Sequence, residues 1–189
     1  MTGRVVRLEP LSEVHIPDLA KVGLEEKIWR FMVYGKMETS EHLSAWVHEL
    51  LELQALGTDL PFAVIHLASG CAIGSTRYLN IEHIDRSLEI GGTWYGLDYQ
   101  GTLVNTECKY LLLRQAFEVL GCVRVQFKTD LRNLHSQHAI ERLGAVKEGV
   151  LRNHMVLPNG YIRDSVFYSI IPQEWPEIKQ KLESRLEYE

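Results

Sequence analysis

The apolar positions of the chain follow two spacings, and the first is that of helix faces, with apolar residues three or four positions apart. The stretches with this spacing, each followed by a glycine, are residues 40–56, 104–120 and 134–143. We predict a helix in each of them. Pro172 precedes a polar stretch, residues 173–186, that is also expected to be helical, and Ser12 is placed to cap a short helix.

The second spacing is the alternation of strands, in which every other residue is apolar or β-branched. The predicted strands are residues 4–8, 62–67, 71–81, 87–95, 123–129, 145–157 and 161–171. Asn159 and Gly160 separate the last two and are typical of a tight hairpin turn. The order of elements predicts an α/β (α+β) domain with a mixed sheet, helices on both faces, and one parallel strand pair across the helix 104–120.

Length and composition restrict the broad class of the protein. With 189 residues and 46% apolar residues, the chain has the size of one domain with a real core, so we expect a single domain over residues 1–189. The formal net charge of -5 gives no general attraction to nucleic acid or to a membrane, and no stretch has the apolar length of a membrane span. A cytoplasmic protein is the default expectation.

The three cysteines, Cys71, Cys108 and Cys122, lie among apolar neighbours and are predicted to be buried.

Two glycines interrupt the predicted strand 87–95. Gly91 and Gly92 are adjacent, and paired glycines inside a strand indicate a bulge or a place where another group approaches the backbone closely. This is the first unusual feature of the sequence.

Two predicted helices begin in polar loops. Gly101 precedes one of them, and free backbone N–H groups at such a helix start suit a phosphate. The alternative is an ordinary connection in which Asn105 or Thr106 caps the helix. Asn133 opens the other helix, and it could likewise be a helix cap and nothing more.

Seven short motifs then follow one another in order. They are Glu89-Ile-Gly91, Tyr99-Gln-Gly101, Ala116-Phe-Glu118, Asn133-x-x-Ser136, Arg142-Leu-Gly-Ala145, Glu148-Gly-Val-Leu-Arg152 and Asp164 to Ser169. In this order they resemble the GCN5-related N-acetyltransferases, in particular the branch that acetylates ribosomal-protein N-termini. Residues 4–88 match the family in the order of their elements, so the resemblance spans nearly the whole chain.

The resemblance implies a mostly antiparallel sheet in which one parallel pair, residues 89–95 and 123–130, splays apart to hold acetyl-CoA as co-substrate, with no metal. By the same resemblance the pantetheine arm would pair with the backbone of Gly92, Thr93 and Trp94. The pyrophosphate would lie on the amides of Gln100, Gly101, Thr102, Leu103, Val104 and Asn105, with Thr106 as a further side-chain donor. Asn133 and Ser136 would contact the co-substrate beyond the splay.

Two positions of the phosphate loop depart from the family pattern. Asp98 stands where the family usually has Gln or Arg, and Leu103 stands where it usually has Gly or Ala. Because a carboxylate that pointed inward would repel a phosphate, we expect Asp98 to face solvent.

Acyl transfer to an amine needs a base for the amine and an acid for the leaving thiolate. The resemblance makes Ser136 the candidate acid, the alternative being an exposed serine in a first helical turn. Glu89, a carboxylate on the splayed strand, is the candidate base, acting directly or through water. Its alternative interpretation is an ion pair with an arginine such as Arg77.

Other residues compete for the role of the base. Some family members carry a carboxylate at the position of Met155, and His154 beside it titrates in the right range. Strand alternation, however, predicts that His154 points to the opposite face. Asp164 is an alternative for orienting the amine.

The acceptor is expected to be a primary amine, and a protein N-terminus is favoured by the resemblance. The alternatives are a small-molecule amine and a noncatalytic domain that binds CoA or a partner. Four aromatic residues, Trp29, Phe31, Tyr34 and Trp46, either line the acceptor site or belong to the core, and core is favoured. A homodimer is possible by the same resemblance.

Overall fold

The computed structural model describes residues 1–187, and its centre is one seven-stranded sheet. The strands are β1 (Val6–Pro10), β2 (Leu60–His66), β3 (Ala72–Glu82), β4 (Ser87–Tyr95), β5 (Arg124–Asp130), β6 (Val146–Val156) and β7 (Ile162–Ile170). They lie in the order β1-β2-β3-β4-β5-β7-β6. Neighbouring strands are antiparallel except for β4 and β5, which are parallel. The prediction of a mixed, mostly antiparallel sheet is therefore confirmed.

Helices cover both faces of the sheet. They are α1 (Ile16–Val22), α2 (Glu26–Trp29), α3 (Ser40–Ala55), α4 (Leu103–Arg114), α5 (Leu134–Leu143) and α6 (Trp175–Glu187). Apolar residues of α4, α5 and α6 pack with one face of the sheet in the larger core cluster. Apolar residues of α1, α2 and α3 form a second cluster on the other face. None of the helices within residues 1–187 combines the length and apolar character that crossing a membrane requires.

The parallel pair separates soon after it begins. Backbone pairing of β4 with β5 covers three positions and ends at Glu89 opposite Gln126, although β4 continues to Tyr95 and β5 to Asp130. Beyond that point the two strands diverge, so the expected splay is present. Both α4 and α5 begin shortly after these two strands end, and their N-termini lie on the side where the splay opens.

A bulge lies in β4 within the splayed part. Two residues, Gly92 and Thr93, lie opposite the single residue Thr76 of β3. Gly92 has a φ of 57°, and a Cβ added there would lie 2.9 Å from Nε of Arg77. A side chain at this position would be both strained and crowded, so the bulge depends on glycine.

Two local details differ from the predictions. The helix predicted over residues 104–120 is present, but it is α-helical only to Arg114 and ends in a wider π turn, in which Leu120 donates its N–H to the carbonyl of Gln115. The apolar spacing alone does not distinguish the two kinds of turn. Cys71 was expected to be buried but is only partly covered, since it lies at the exposed turn before β3. Cys108 and Cys122 are buried as predicted.

Candidate active site

The N-terminus of α4 lies directly after the turn that follows β4. Thr102 caps the helix, because its Oγ1 accepts the N–H of Val104 at 3.3 Å and donates to the carbonyl of Tyr99 at 2.7 Å. Gly101, with a φ of 73°, carries the chain into the cap, and no atom lies within 4 Å of the position that a Cβ would occupy. Apart from the N–H of Val104, which Thr102 accepts, the first-turn amides have no intrahelical partners and are therefore available to an anion.

The cap at Thr102 changes the roles of the residues that follow it. Neither Asn105 nor Thr106 is the helix cap, so that interpretation of the sequence was wrong. Asn105 is instead tied to β4, since its Oδ1 accepts the hydroxyl of Tyr95 at 3.2 Å, and Thr106 is buried. Asp98 is exposed, in agreement with the expectation that it faces solvent.

The N-terminus of α5 follows β5 in the same way. Asn133 caps this helix by accepting the N–H of Ser136 on its Oδ1 at 3.0 Å. The side-chain amide of Asn133 keeps its two N–H groups for another acceptor, because the cap uses only the oxygen. The fold thus brings the loop before α4, the bulge of β4 and the start of α5 to one edge of the sheet.

Glu89 occupies the last paired position of β4 and points away from α4. Its neighbours Leu88 and Ile90 pack in the core beside α4, so alternation directs Glu89 to the opposite face. It is 2% exposed. Its Oε2 accepts the side-chain amides of Asn80 at 3.1 Å and Gln126 at 3.0 Å, and Lys128 Nζ lies 3.4 Å away.

The alternative interpretation of Glu89, an ion pair with an arginine such as Arg77, is not found among the described residues. Arg77 instead lies 3.0 Å from Oδ2 of Asp59, and Lys128 is the cation beside Glu89. The carboxylate is therefore held in one orientation, on the face of the sheet opposite α4, by groups from β3 and β5.

His154 lies on the same face as Glu89, contrary to the prediction from alternation. Three residues of β6 lie opposite the single residue Asp164 of β7, and Asn153 has a φ of 52°. This bulge breaks the alternation and turns His154 onto β7, where Nδ1 lies 3.0 Å from Oγ of Ser165 and the ring packs edge-on against Phe167.

The surroundings of His154 favour its neutral form. Burial lowers the pKa of His154, and the positive charges of Lys128 and Arg163 lower it further, against an opposing effect of Glu89. A neutral imidazole can accept a proton, so this face carries a second group with the chemistry of a base. Asp164, the other alternative, accepts the N–H of Asn153 at 2.7 Å and fixes the bulge.

An arginine closes the outer end of this face. Arg132 forms a hydrogen-bonded ion pair with the buried Asp130 at 2.7 Å, and its guanidinium lies 3.5 Å from the ring centre of Tyr161 and 5.6 Å from that of Phe31. Burial alone would raise the pKa of Asp130, but the bonds from Arg132 outweigh it and the pKa is lowered. The contact joins the β6–β7 turn to the segment after α2.

The chain is similar to acetyltransferases by sequence and by structure. The model of the family described as Acetyltransferase (GNAT) domain matches residues 6–146. The chain belongs to the GNAT family. It is therefore an acyl-CoA-dependent N-acetyltransferase, and its seven-stranded sheet with one parallel pair is a GNAT fold.

Individual relatives agree with this assignment. The chain is 31% identical over 171 residues to the Bacillus subtilis (strain 168) protein named "Putative ribosomal N-acetyltransferase YdaF", and the match covers 88% of this chain and 87% of that protein. A crystal structure of a GCN5-related N-acetyltransferase from Brucella melitensis superposes with a TM-score of 0.92 at 30% identity, over 99% of this chain and 85% of the other. A "putative acetyltransferase" from T. thermophilus superposes with a TM-score of 0.89 at 41% identity, over 98% of this chain and 95% of the other.

Several residues of this GNAT site were not found from the sequence. Asn80, Gln126 and Lys128 surround Glu89, but their strands meet only in the folded sheet. Lys109 of α4 is also buried, and its Nζ donates to Oγ1 of Thr93 at the bulge at 2.7 Å. The lysine would have been visible as a charge on the apolar face of the predicted helix.

The four aromatic residues that the sequence singled out from α2 to α3 fall into two groups. Trp29 and Trp46 are buried at 5% and 3% exposure, and their rings contact those of Tyr34 and Trp94. Both tryptophans therefore belong to the second core cluster, as the favoured interpretation predicted, and the other interpretation, that they line the acceptor site, stays a prediction. Phe31 is only partly buried and faces Arg132 at the rim.

Proposed function

We propose that the chain transfers an acetyl group from acetyl-CoA to the α-amine of a protein N-terminus. The observation that supports acetyl transfer at this place is the pair of splayed strands, with a glycine bulge on one strand and a helix N-terminus after each. The name of the Bacillus subtilis relative favours a ribosomal protein as the acceptor. Both the acceptor class and the site residues are part of this proposal.

The proposed co-substrate site uses the residues that the resemblance implied. The backbone of Gly92, Thr93 and Trp94 pairs with the pantetheine arm, since β5 leaves that side of β4 without a partner strand. The pyrophosphate lies on the α4 start. Its contacts are the amides of Gln100, Gly101, Thr102, Leu103, Val104 and Asn105, with Thr106 limited by its burial to a supporting role. Asn133 donates its free amide N–H groups from the α5 start.

Two side chains carry the proton transfers in this proposal. When bound, acetyl-CoA supplies a thioester whose carbonyl carbon the amine attacks. Glu89 accepts the amine proton, directly or through a water molecule, from the acceptor side of the sheet. As the new N–C bond forms, the C–S bond breaks; Ser136 in the first turn of α5 donates a proton to the thiolate and regains one from water, and Glu89 returns its proton to solvent. The amide at the bulge polarises the thioester oxygen.

Calorimetric titration with acetyl-CoA tests the co-substrate site first. Micromolar binding that is lost when the loop is disrupted at Gly101 is the expected result. An absence of binding would contradict the proposal at its first step and would favour a noncatalytic domain on the same fold.

A substrate panel tests the acceptor class. Release of CoA is measured with tetrapeptides bearing different N-terminal residues and with a matched set of small amines, including a polyamine. We expect kcat/KM to be higher for peptides and to depend on the first residues. Equal or higher values for small amines would contradict the proposal of a protein N-terminus and leave acetyl transfer intact.

A further inference from the structure

One cluster holds most of the buried polar atoms that lack a hydrogen-bond partner. Within residues 1–187, four of the six such side-chain atoms belong to four residues that contact one another, and a fifth, Nη1 of Arg77, is ion-paired with Asp59. The four atoms are Oη of Tyr34, Nε1 of Trp46, Nε1 of Trp94 and Nε of Arg77. We call these four residues the donor cluster. Native proteins satisfy nearly all such atoms, so four in one place require an explanation.

The donor cluster is continuous. The rings of Trp94 and Trp46 are 5.8 Å apart, those of Trp46 and Tyr34 are 5.8 Å apart, and the guanidinium of Arg77 lies 5.8 Å from the ring of Tyr34. The indole N–H of Trp46 lies near the Tyr34 hydroxyl, but without the alignment of a hydrogen bond. The unpaired groups therefore belong to one site rather than to scattered positions.

Packing in this region does not prevent hydrogen bonding as such. Trp29 contacts Trp46 and Trp94 in the same aromatic group, yet its Nε1 donates to the carbonyl of Gly23 at 2.6 Å. Trp46 and Trp94 thus keep unpaired indole N–H groups at a place where one additional acceptor would satisfy them.

The chemistry of the donor cluster selects its ligand. Indole and guanidinium nitrogens only donate, and burial raises the pKa of Tyr34, so its hydroxyl keeps a proton to donate as well. Asp59, whose Oδ2 lies 3.0 Å from Arg77 Nη1, offsets the guanidinium charge. A group that only accepts hydrogen bonds and carries no charge fits best, and in a peptide that group is a backbone carbonyl oxygen.

The position of the donor cluster indicates which carbonyl. Arg77 is paired with Gly91 in the sheet, and its Nε lies 2.9 Å from the position that a Cβ on Gly92 would take. The cluster therefore borders the bulge, on the face that carries Glu89. In a peptide, the first carbonyl is bonded to the carbon that bears the α-amine, so amine and oxygen reach the bulge and the cluster together.

We infer that the donor cluster binds the first backbone carbonyl of the acceptor and so selects α-amines over amines without an adjacent carbonyl. This inference rests on the proposed function, in that the acetyl group must be presented at the bulge. Tyr34 lies on the segment of residues 30–39 between α2 and α3, which contains no helix or strand. Entry of the acceptor requires this segment to move outward.

Matched peptides and variants test the inference. The acceptors are a tetrapeptide, the same peptide with an (E)-alkene in place of its first amide, and the corresponding ester, which keeps the carbonyl but lacks the N–H. The variants are Tyr34→Phe and Trp46→Phe, each of which removes one unpaired donor. Trp29→Phe is the control, because it makes the same change in ring size at a tryptophan whose N–H is already paired.

We expect the wild-type protein to acetylate the tetrapeptide and the ester with similar KM and the alkene poorly. Tyr34→Phe and Trp46→Phe should raise KM for the tetrapeptide about fivefold, as loss of one hydrogen bond predicts, and leave the weak activity on the alkene unchanged. Trp29→Phe should lower Tm and leave the ratio of the two KM values as it is.

Three outcomes separate the ways in which the inference and the proposed function can fail. Equal KM for the tetrapeptide and the alkene in the wild-type protein overturns the inference while the proposed function stands. A lower Tm in Tyr34→Phe and Trp46→Phe with unchanged KM shows that the donors bind buried water only, and also overturns it. Absence of CoA release with every acceptor contradicts the proposed function itself.

Discussion

Lys128 Nζ lies 3.4 Å from Oε2 of Glu89, across the point at which the parallel strands separate. Glu89 is the last residue of β4 that pairs with β5, and Lys128 lies two residues beyond its partner Gln126. Both side chains are largely buried, Glu89 at 3% and Lys128 at 17% exposure. The ion pair thus joins β4 to β5 where their backbone hydrogen bonds end, and it fixes the carboxylate on the face of the sheet opposite α4.

Replacing Glu89 by Gln tests its role as the base. We expect kcat to fall by at least about tenfold, because the amide cannot accept a proton, with the Kd for acetyl-CoA unchanged, because Glu89 faces away from α4. Steady-state rates and calorimetry measure the two quantities. Glu148→Gln is the matched control, since Glu148 is also ion-paired, to Arg124, but lies near the start of β6.

An unchanged kcat in Glu89→Gln would remove this residue from the mechanism and direct attention to His154. The two bases also differ in their pH dependence. If the imidazole of His154 accepts the proton, His154→Gln alters the acid limb of the pH profile of kcat/KM; otherwise that limb is unchanged. The limb is expected below the ordinary histidine pKa, because the pKa of His154 is lowered in the folded protein. His138→Gln, on the exposed side of α5, serves as the control.

Gly101→Ala tests the loop before α4. Gly101 and Gly57 have φ values of 73° and 76°, and neither has an atom within 4 Å of the added Cβ, so both substitutions strain the backbone without a clash. Each should cost about 1 kcal/mol of stability. Only Gly101→Ala should raise the Kd for acetyl-CoA, by at least about tenfold, because it displaces amides at the helix start. Equal Kd values for the two variants would contradict the phosphate site.

Glu107 anchors the N-terminal segment, a role that no pattern in the sequence predicted. Its two carboxylate oxygens accept the backbone N–H groups of Arg4, Val5 and Val6, each at 2.7 Å. Gln at this position keeps one acceptor oxygen and turns an amide toward a buried donor. We expect Glu107→Gln to lower the free energy of unfolding by about 2–4 kcal/mol in denaturant titration.

The exposed Glu177 provides the comparison for that measurement. Its side chain is 75% exposed and paired only with Lys181 among the described residues, so Glu177→Gln should change stability by less than about 0.5 kcal/mol. A similar small effect at Glu107 would show that the three backbone bonds are replaced by water when the carboxylate is lost.

The sequence predicted best the bounds of those elements whose ends or irregularities are set by residues that are neighbours in the chain. Helix α5 has the predicted bounds because Gly144 adopts a φ of 96° directly after it, a conformation that glycine favours. Strand β4 also has its predicted bounds, and its paired glycines do form a bulge. In both cases the deciding residues are neighbours in the chain.

The parts that could not be predicted depend on contacts between distant segments. The face on which His154 lies was wrong because the β6 bulge, fixed by Asp164, changes the alternation. The alternative partner of Glu89, Arg77, was wrong because the sequence predicts the β4–β5 pair but not its register, which places Lys128 beside Glu89. The unpaired donors around Arg77 likewise follow from three-dimensional packing, which periodicity does not contain.

Lys109 is a buried lysine whose described partner is a neutral hydroxyl. It is 6% exposed, and Nζ donates to Oγ1 of Thr93, which also lies 2.8 Å from Oγ1 of Thr76. Burial lowers the pKa of Lys109 to about 8. The neighbouring Cys108 and Tyr95 stay neutral, because burial raises the pKa of both.

This lowered pKa predicts how stability changes with pH. Between the folded value, about 8, and the unfolded value of 10.5, the unfolded chain holds a proton that the folded protein has lost, so the free energy of unfolding rises with pH. Below pH 8 the buried charge destabilises the protein in full. Lys109→Met removes that cost, so its advantage over the wild-type protein should shrink by about 3 kcal/mol from pH ~7 to ~10.5.

Denaturant titrations of wild type and Lys109→Met at several pH values measure this difference directly, since all other titrating groups cancel. Lys27→Met, at an exposed position, should show a difference that does not change with pH. A constant difference for Lys109→Met as well would mean that its ammonium is not desolvated beside Thr93. If the difference does shrink, the buried ammonium of Lys109 lowers the stability of the fold, so a need of folding does not explain why a lysine is there. A weaker affinity of Lys109→Met for acetyl-CoA would then show that co-substrate binding offsets this loss of stability.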